Sequence, residues 1–160
     1  MLTQQYLQDL FDYQDGCLIW KTQLAYRGKS GTIAGSKRND GYFQVGINNT
    51  DYLLHRLIYL YFHGVMPKYI DHIDGDRNNN KIENLRECTN QQNSFNSRIS
   101  KNNTSGIKGV SWDKSRDKWQ AKCTLNRKTI HLGRFDSIEQ ADLALRSWRE
   151  QNHGQFARNN

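Results

Sequence analysis

Residues 69 to 95 cannot form one continuous helix or strand. Tyr69 to Ile73 reads as a strand, DGDRNNNK from Asp74 to Lys81 is built of turn formers, and Leu85 to Cys88 reads as a second strand. Thr89 with Gln92 has the T-x-x-Q spacing of a capping box, which predicts a helix starting at Asn90. Strand, loop, strand and helix in so short a stretch make a compact unit, and the rest of the chain must be arranged around it.

Before this unit, Thr3 can cap a short helix whose Leu7, Leu10 and Phe11 share one face. Strand-like runs follow at Cys17 to Trp20 and Tyr42 to Ile47, then a buried helix from Leu54 to Phe62 stopped by Gly64 and Pro67. Residues 98 to 106, RISKNNTSG, are polar and without periodicity, so the sequence places a domain boundary there, giving domains 1–100 and 101–160. Beyond it, Gly109 to Trp112, Trp119 to Leu125 and Lys128 to Leu132 read as three short antiparallel strands. Ser137 with Gln140 opens a helix carrying Ile138, Ala141, Leu145 and Trp148 on one face, which the three-stranded sheet can bury. The expected class is α+β.

With 160 residues and 36% hydrophobic content, the chain has room for one ordinary domain or two small ones. Its net charge of +7 is unevenly spread: residues 1–100 hold 11 basic and 10 acidic side chains, residues 101–160 hold 12 and 6. A basic surplus in one segment fits a polyanion partner, most simply nucleic acid, and equally fits a solvated surface. Cys17, Cys88 and Cys123 are odd in number and never form C-x-x-C, against a disulfide framework or a cysteine zinc site. Neither a signal peptide nor a membrane-spanning run is visible, so the expected compartment is the cytoplasm.

The chemistry concentrates in DHIDGDRNNNKIENLRECTNQQN, residues 71 to 93. Asp71 supplies a hard carboxylate, His72 an imidazole able to take a proton from water, and Asn93 an amide oxygen. If hairpin and helix fold together, Asn93 can face the first strand, and two oxygen donors suit Mg²⁺ or Mn²⁺. Two other readings of the residues stand beside this one. Asp74, Asp76 and Asn78 resemble the start of a calcium loop, but Asn79 stands where that loop needs glycine and Leu85 where it needs glutamate. The run is also a plain polar turn by composition.

His55-Arg56 followed by residues 70 to 93 resembles HNH endonucleases, particularly phage homing enzymes with the ββα-metal fold. The resemblance implies His72 as general base, Asp71 and Asn93 as metal ligands, and Asn84 holding the connecting loop. It implies Mg²⁺- or Mn²⁺-dependent hydrolysis of double-stranded DNA, by nicking or double-strand cleavage, leaving 5′-phosphate and 3′-hydroxyl ends, in a host-cell cytoplasm if the gene belongs to a phage. Many members carry histidine where this chain has Asn93, which favours hard cations over those that prefer imidazole. Asp71 and His72 are neighbours on a strand and should point to opposite faces; the family brings them together at a twisted strand end. His55 and Arg56 match a recurrent pair, either packing the fold or touching DNA or the metal site.

Residues 105 to 156 are similar to the plant APETALA-type (ethylene-response-factor) DNA-binding domain, through GV at Gly109, KW at Lys118, LGRF at Leu132 and E-x-A-x-x-A from Glu139. Strand alternation independently puts Lys118, Gln120, Lys122 and Thr124 on one face, with Trp119, Ala121, Cys123 and Leu125 on the other. Thr129 and His131 extend the polar face, and Lys108 and Ser111 complete the expected DNA-contacting set, which a β-reader would lay in the major groove. Ser111 and His131 stand where the plant domains carry arginine or tryptophan, so the fold and the docking mode carry over and the sequence preference does not. The functional expectation is a homing-type endonuclease with a separate DNA-binding module and no evident protein partner. The rival is a non-catalytic, sequence-specific DNA-binding regulator.

Overall fold

A computed structural model of the chain describes residues 2–23, 28–97, 99–100 and 102–157. It is a mixed α/β protein of small antiparallel sheets with four α-helices among the described residues, divided into two compact units, Met1–Cys88 and Thr89–Asn160.

In the first unit, α1 (Gln4–Leu10) starts where the Thr3 hydroxyl accepts the Tyr6 N–H, as the sequence predicts. It runs into β1 (Phe11–Gln14), which pairs with β2 (Cys17–Trp20) through a two-residue Asp15-Gly16 turn. Both turn residues have positive φ, 46° and 86°, the geometry that Asp-Gly hairpins favour. β3 (Ser36–Lys37), β4 (Phe43–Ile47) and β5 (Thr50–Leu53) form a second small sheet. β5 leads directly into α2 (Leu54–His63), which ends on Gly64 in the left-handed conformation. Leu54, Leu57 and Ile58 on α2 meet Leu7, Phe11, Leu18, Val45 and Ile47 in one core. Leu57 is fully buried, so Leu57→Ala would cost about 2–5 kcal/mol. On this base sits the hairpin of β6 (Ile70–His72) and β7 (Leu85–Glu87), with a 3₁₀ turn at Ile82–Asn84 before β7.

The second unit begins with α3 (Asn90–Phe95), opened by the full reciprocal capping box of Thr89 and Gln92. β8 (Val110–Asp113), β9 (Lys118–Leu125) and β10 (Lys128–Phe135) form an antiparallel sheet in the order β10-β9-β8. α4 (Ile138–His153), capped by Ser137, covers one face of the sheet. Val110, Ala121, Cys123, Ala141 and Leu145 form the core between sheet and helix, with Trp119, Phe135 and Trp148 packed at its margin.

The units divide between Cys88 and Thr89, earlier than the boundary expected after residue 100. The cause is non-local. α3 buries no residue of its own, and Lys108 and His153 hold its C-terminal end from within the second unit. Arg98 and Lys101, part of the polar stretch that suggested the later boundary, lie outside the described residues. The three cysteines are free thiols, and among the described residues no helix is long and apolar enough to cross a membrane.

Candidate active site

The loop from Asp74 to Lys81 is held by its own side chains. Asn84 is buried below it. Its Oδ1 accepts the Asp74 N–H at 3.1 Å, and its Nδ2 donates to Asp74 Oδ1 at 3.0 Å and to the Asn79 carbonyl at 2.7 Å. Asp74 also accepts the Asp76 N–H and the Asn79 amide, both at 2.7 Å, and Asp76 accepts the Asn78 backbone and side chain. Burial alone would raise the Asp74 carboxyl, but the donors from Asp76, Asn79 and Asn84 outweigh it and keep the group below its ordinary value. The carboxylates that resemble a calcium loop are therefore used as turn acceptors, and no group of three or more His, Cys, Asp or Glu side chains among the described residues could hold a metal ion.

β6 places three consecutive buried residues at the foot of this loop. His72 Nε2 lies 3.0 Å from Asn80 Oδ1. The His72 ring also meets His55 edge-on at 5.0 Å between centroids, with Tyr42 beyond at 5.2 Å from His55 and 6.1 Å from His72. Burial, then the neighbouring His72 and Arg56, lower His55 to about 3, so its imidazole is neutral at physiological pH. Asp71 is engaged elsewhere: its Oδ2 accepts Arg86 Nη2 at 2.8 Å and Nε at 3.0 Å, and Arg86 is its partner across the β6–β7 ladder. The alternation that the sequence raised as a difficulty is thus visible, with Asp71 turned to Arg86 and His72 to Asn80 and His55.

Arg56 donates to the carbonyls of Pro67 and Lys68 at 2.8 and 3.1 Å, tying the connection after α2. Asn93 is exposed on α3 in the second unit. The structure therefore gathers His72, Asn84 and His55 in one unit and pairs Asp71 with Arg86. Sequence reasoning missed Asn80 and Arg86. Asn80 is one of three successive asparagines that composition cannot tell apart, whereas Arg86 could have been found by pairing the two strands.

On the second unit's sheet, Trp119, Ala121 and Cys123 face α4, while Lys118, Gln120, Lys122 and Thr124 line the opposite face. Ser111 sits beside Gln120, His131 beside Lys122 and Thr129 beside Thr124. Gln120 is buried by its neighbours and reaches His131 Nδ1 at 3.2 Å. Lys118 forms an ion pair with Asp136. Lys108 departs from the expected face. Its ammonium donates to the carbonyls of Ser94, Phe95 and Ser97 and to the Ser97 hydroxyl, at 2.8 to 3.2 Å, satisfying the end of α3. Behind it, buried Arg149 donates to the Lys108 carbonyl, and His153 stacks on Phe95 with centroids 3.6 Å apart.

Residues 52–95 match the HNH endonuclease family. The chain is 43% identical over 97 residues to protein 3.8 of Escherichia phage T7, covering 59% of this chain and 79% of that protein. It is 36% identical over 107 residues to an uncharacterized HNH endonuclease, L560, of Acanthamoeba polyphaga mimivirus, covering 65% of this chain and 54% of that protein, about half its length. No solved structure matches.

Proposed function

Because the chain belongs to the family of the T7 protein 3.8 and carries an HNH endonuclease domain, we propose that it is a metal-dependent endonuclease acting on double-stranded DNA, of homing type, with a DNA-binding module at its C-terminus. The observation that carries this reading is the buried His72 under a loop that Asn84 ties at three points. In this role His72 takes a proton from the water that attacks the phosphorus, and Asn84 keeps the loop rigid during the reaction. His55, neutral and against the His72 ring, adds no competing cation there.

The resemblance assigns metal binding to Asp71 and to Asn93. A carboxylate and an amide oxygen are each donors for hard cations, so the chemistry of either residue suits Mg²⁺ or Mn²⁺. Such a cation supplies charge neutralisation at the phosphate when bound. The products are a 5′-phosphate and a 3′-hydroxyl.

The C-terminal module, of APETALA type, would dock the face bearing Ser111, Lys118, Gln120, Lys122, Thr124, Thr129 and His131 in the major groove. The three-stranded sheet backed by α4, with its polar face uncovered by that helix, supports this. Supercoiled plasmid is the test. Conversion to nicked or linear DNA with Mg²⁺ or Mn²⁺, abolished by EDTA, is the expected result. Binding without cleavage under all metal conditions would instead leave the regulator.

A further inference from the structure

Asn80 is 3% exposed, yet the loop around it is polar and mostly accessible. Its amide has two ends with different partners. Nδ2 donates to the Asn78 carbonyl at 3.2 Å, which turns Oδ1 toward His72 Nε2, 3.0 Å away. An amide oxygen only accepts, so Nε2 must carry the proton. In the neutral ring the basic lone pair then lies on Nδ1.

The backbone behind Asn80 is braced from the other end of the unit. The Asp15-Gly16 turn presses against it so closely that a Cβ on Gly16 would lie 2.9 Å from Lys81 N and 3.1 Å from Asn80 C. Lys81 forms a 2.7 Å ion pair with Asp15, and the Tyr13 hydroxyl accepts the Ile82 N–H at 3.1 Å. The N-terminal hairpin therefore fixes the height of the Asn80 amide above the His72 ring.

We propose that Asn80 is a positioning residue which locks His72 in the Nε2–H tautomer, so that Nδ1 is the nitrogen that receives the proton. The inference rests on the reading of His72 as general base. Asn80 touches no reacting atom and acts only through the imidazole.

The experiment is ¹⁵N imidazole NMR of the full chain at alkaline pH without metal, with His72 identified by comparison with His72→Ala. Wild type is expected to show an unprotonated Nδ1 and a protonated Nε2. Asn80→Ala is expected to give a tautomer mixture and to lower single-turnover cleavage about 10- to 100-fold at unchanged affinity for DNA, the usual range for an orienting partner. Asn80→Asp keeps the acceptor and is expected to restore the single tautomer and most of the rate. A single unchanged tautomer in Asn80→Ala, with the amide spectrum of the folded chain, overturns the inference. So does a tautomer mixture with wild-type cleavage while His72→Ala is inactive. Wild-type cleavage by His72→Ala overturns the base assignment instead, and the tautomer measurement still decides whether Asn80 sets the ring.

Discussion

Arg134 stands opposite Gln120 on the face of the second unit's sheet turned away from α4, because β10 bulges between His131 and Gly133. Strict alternation from His131 would send Arg134 to the buried side. The extra residue shifts the register by one, placing Gly133 opposite Ala121 and turning Arg134 toward Asp113, with which it forms a 2.8 Å ion pair.

Arg134 is therefore added to the proposed DNA face. Arg134→Ala is expected to weaken duplex binding and to lower the slope of log affinity against log salt by about 0.9, the contribution of one phosphate contact. Fluorescence anisotropy at several salt concentrations measures both, and an unchanged slope would remove Arg134 from the interface.

Removal of the base is the sharpest test of the proposed chemistry. His72→Ala is expected to slow cleavage by about 10²–10⁴-fold and leave affinity for DNA unchanged. Rates on a supercoiled plasmid, beside binding measured without metal, check this. A parallel loss of binding would mark His72 as structural.

Gly16 tests the brace on the loop. Its φ of 86° and the 2.9 Å approach to Lys81 N leave no place for a methyl group. Gly16→Ala is expected to lose about 1–3 kcal/mol of stability and to move the His72 imidazole resonances although the substitution touches neither ring nor DNA. Urea unfolding and the same NMR experiment would show it.

Stability should depend on pH through His153. Burial, then the Arg149 and Lys108 cations, hold its ring at about 4 against an ordinary 6.5. The unfolded chain takes up this proton first, so stability falls as pH drops below about 6.5, and the decline due to this ring ends below about 4. His153→Phe keeps an aromatic stack on Phe95 and is expected to flatten that window. Melting temperatures of both proteins across it give the comparison, and superimposable profiles would count against the assignment.

How much of this was legible in the residues follows from range. Thr89 with Gln92 and Ser137 announced their helices because a cap is settled within four residues, and β9 announced its two faces through alternation. The bulge after His131 escaped because the strand was expected to end at Leu132, one residue short of Gly133, the local mark of a bulge. Asn84 was anticipated from resemblance. Asn80 was not, because its role comes from a hairpin some sixty residues earlier, not from its asparagine neighbours. The division at Cys88 was not legible for the same reason: the residues that hold α3 are Lys108 and His153, which follow the polar stretch.

The seating of Phe95 on His153, with Lys108 closing the helix end, bears on how genes of this kind can recombine. The stretch that matches the HNH family ends at residue 95, inside the unit that carries the C-terminal sheet. A crossover in the polar segment near residue 100 would give a hybrid whose Asn93 helix comes from one parent and its anchors from the other. A crossover between Cys88 and Thr89 would keep helix and anchors together. Exchange of C-terminal modules among relatives should therefore leave its seams before Thr89, or else carry Phe95, Lys108 and His153 as a set inherited together.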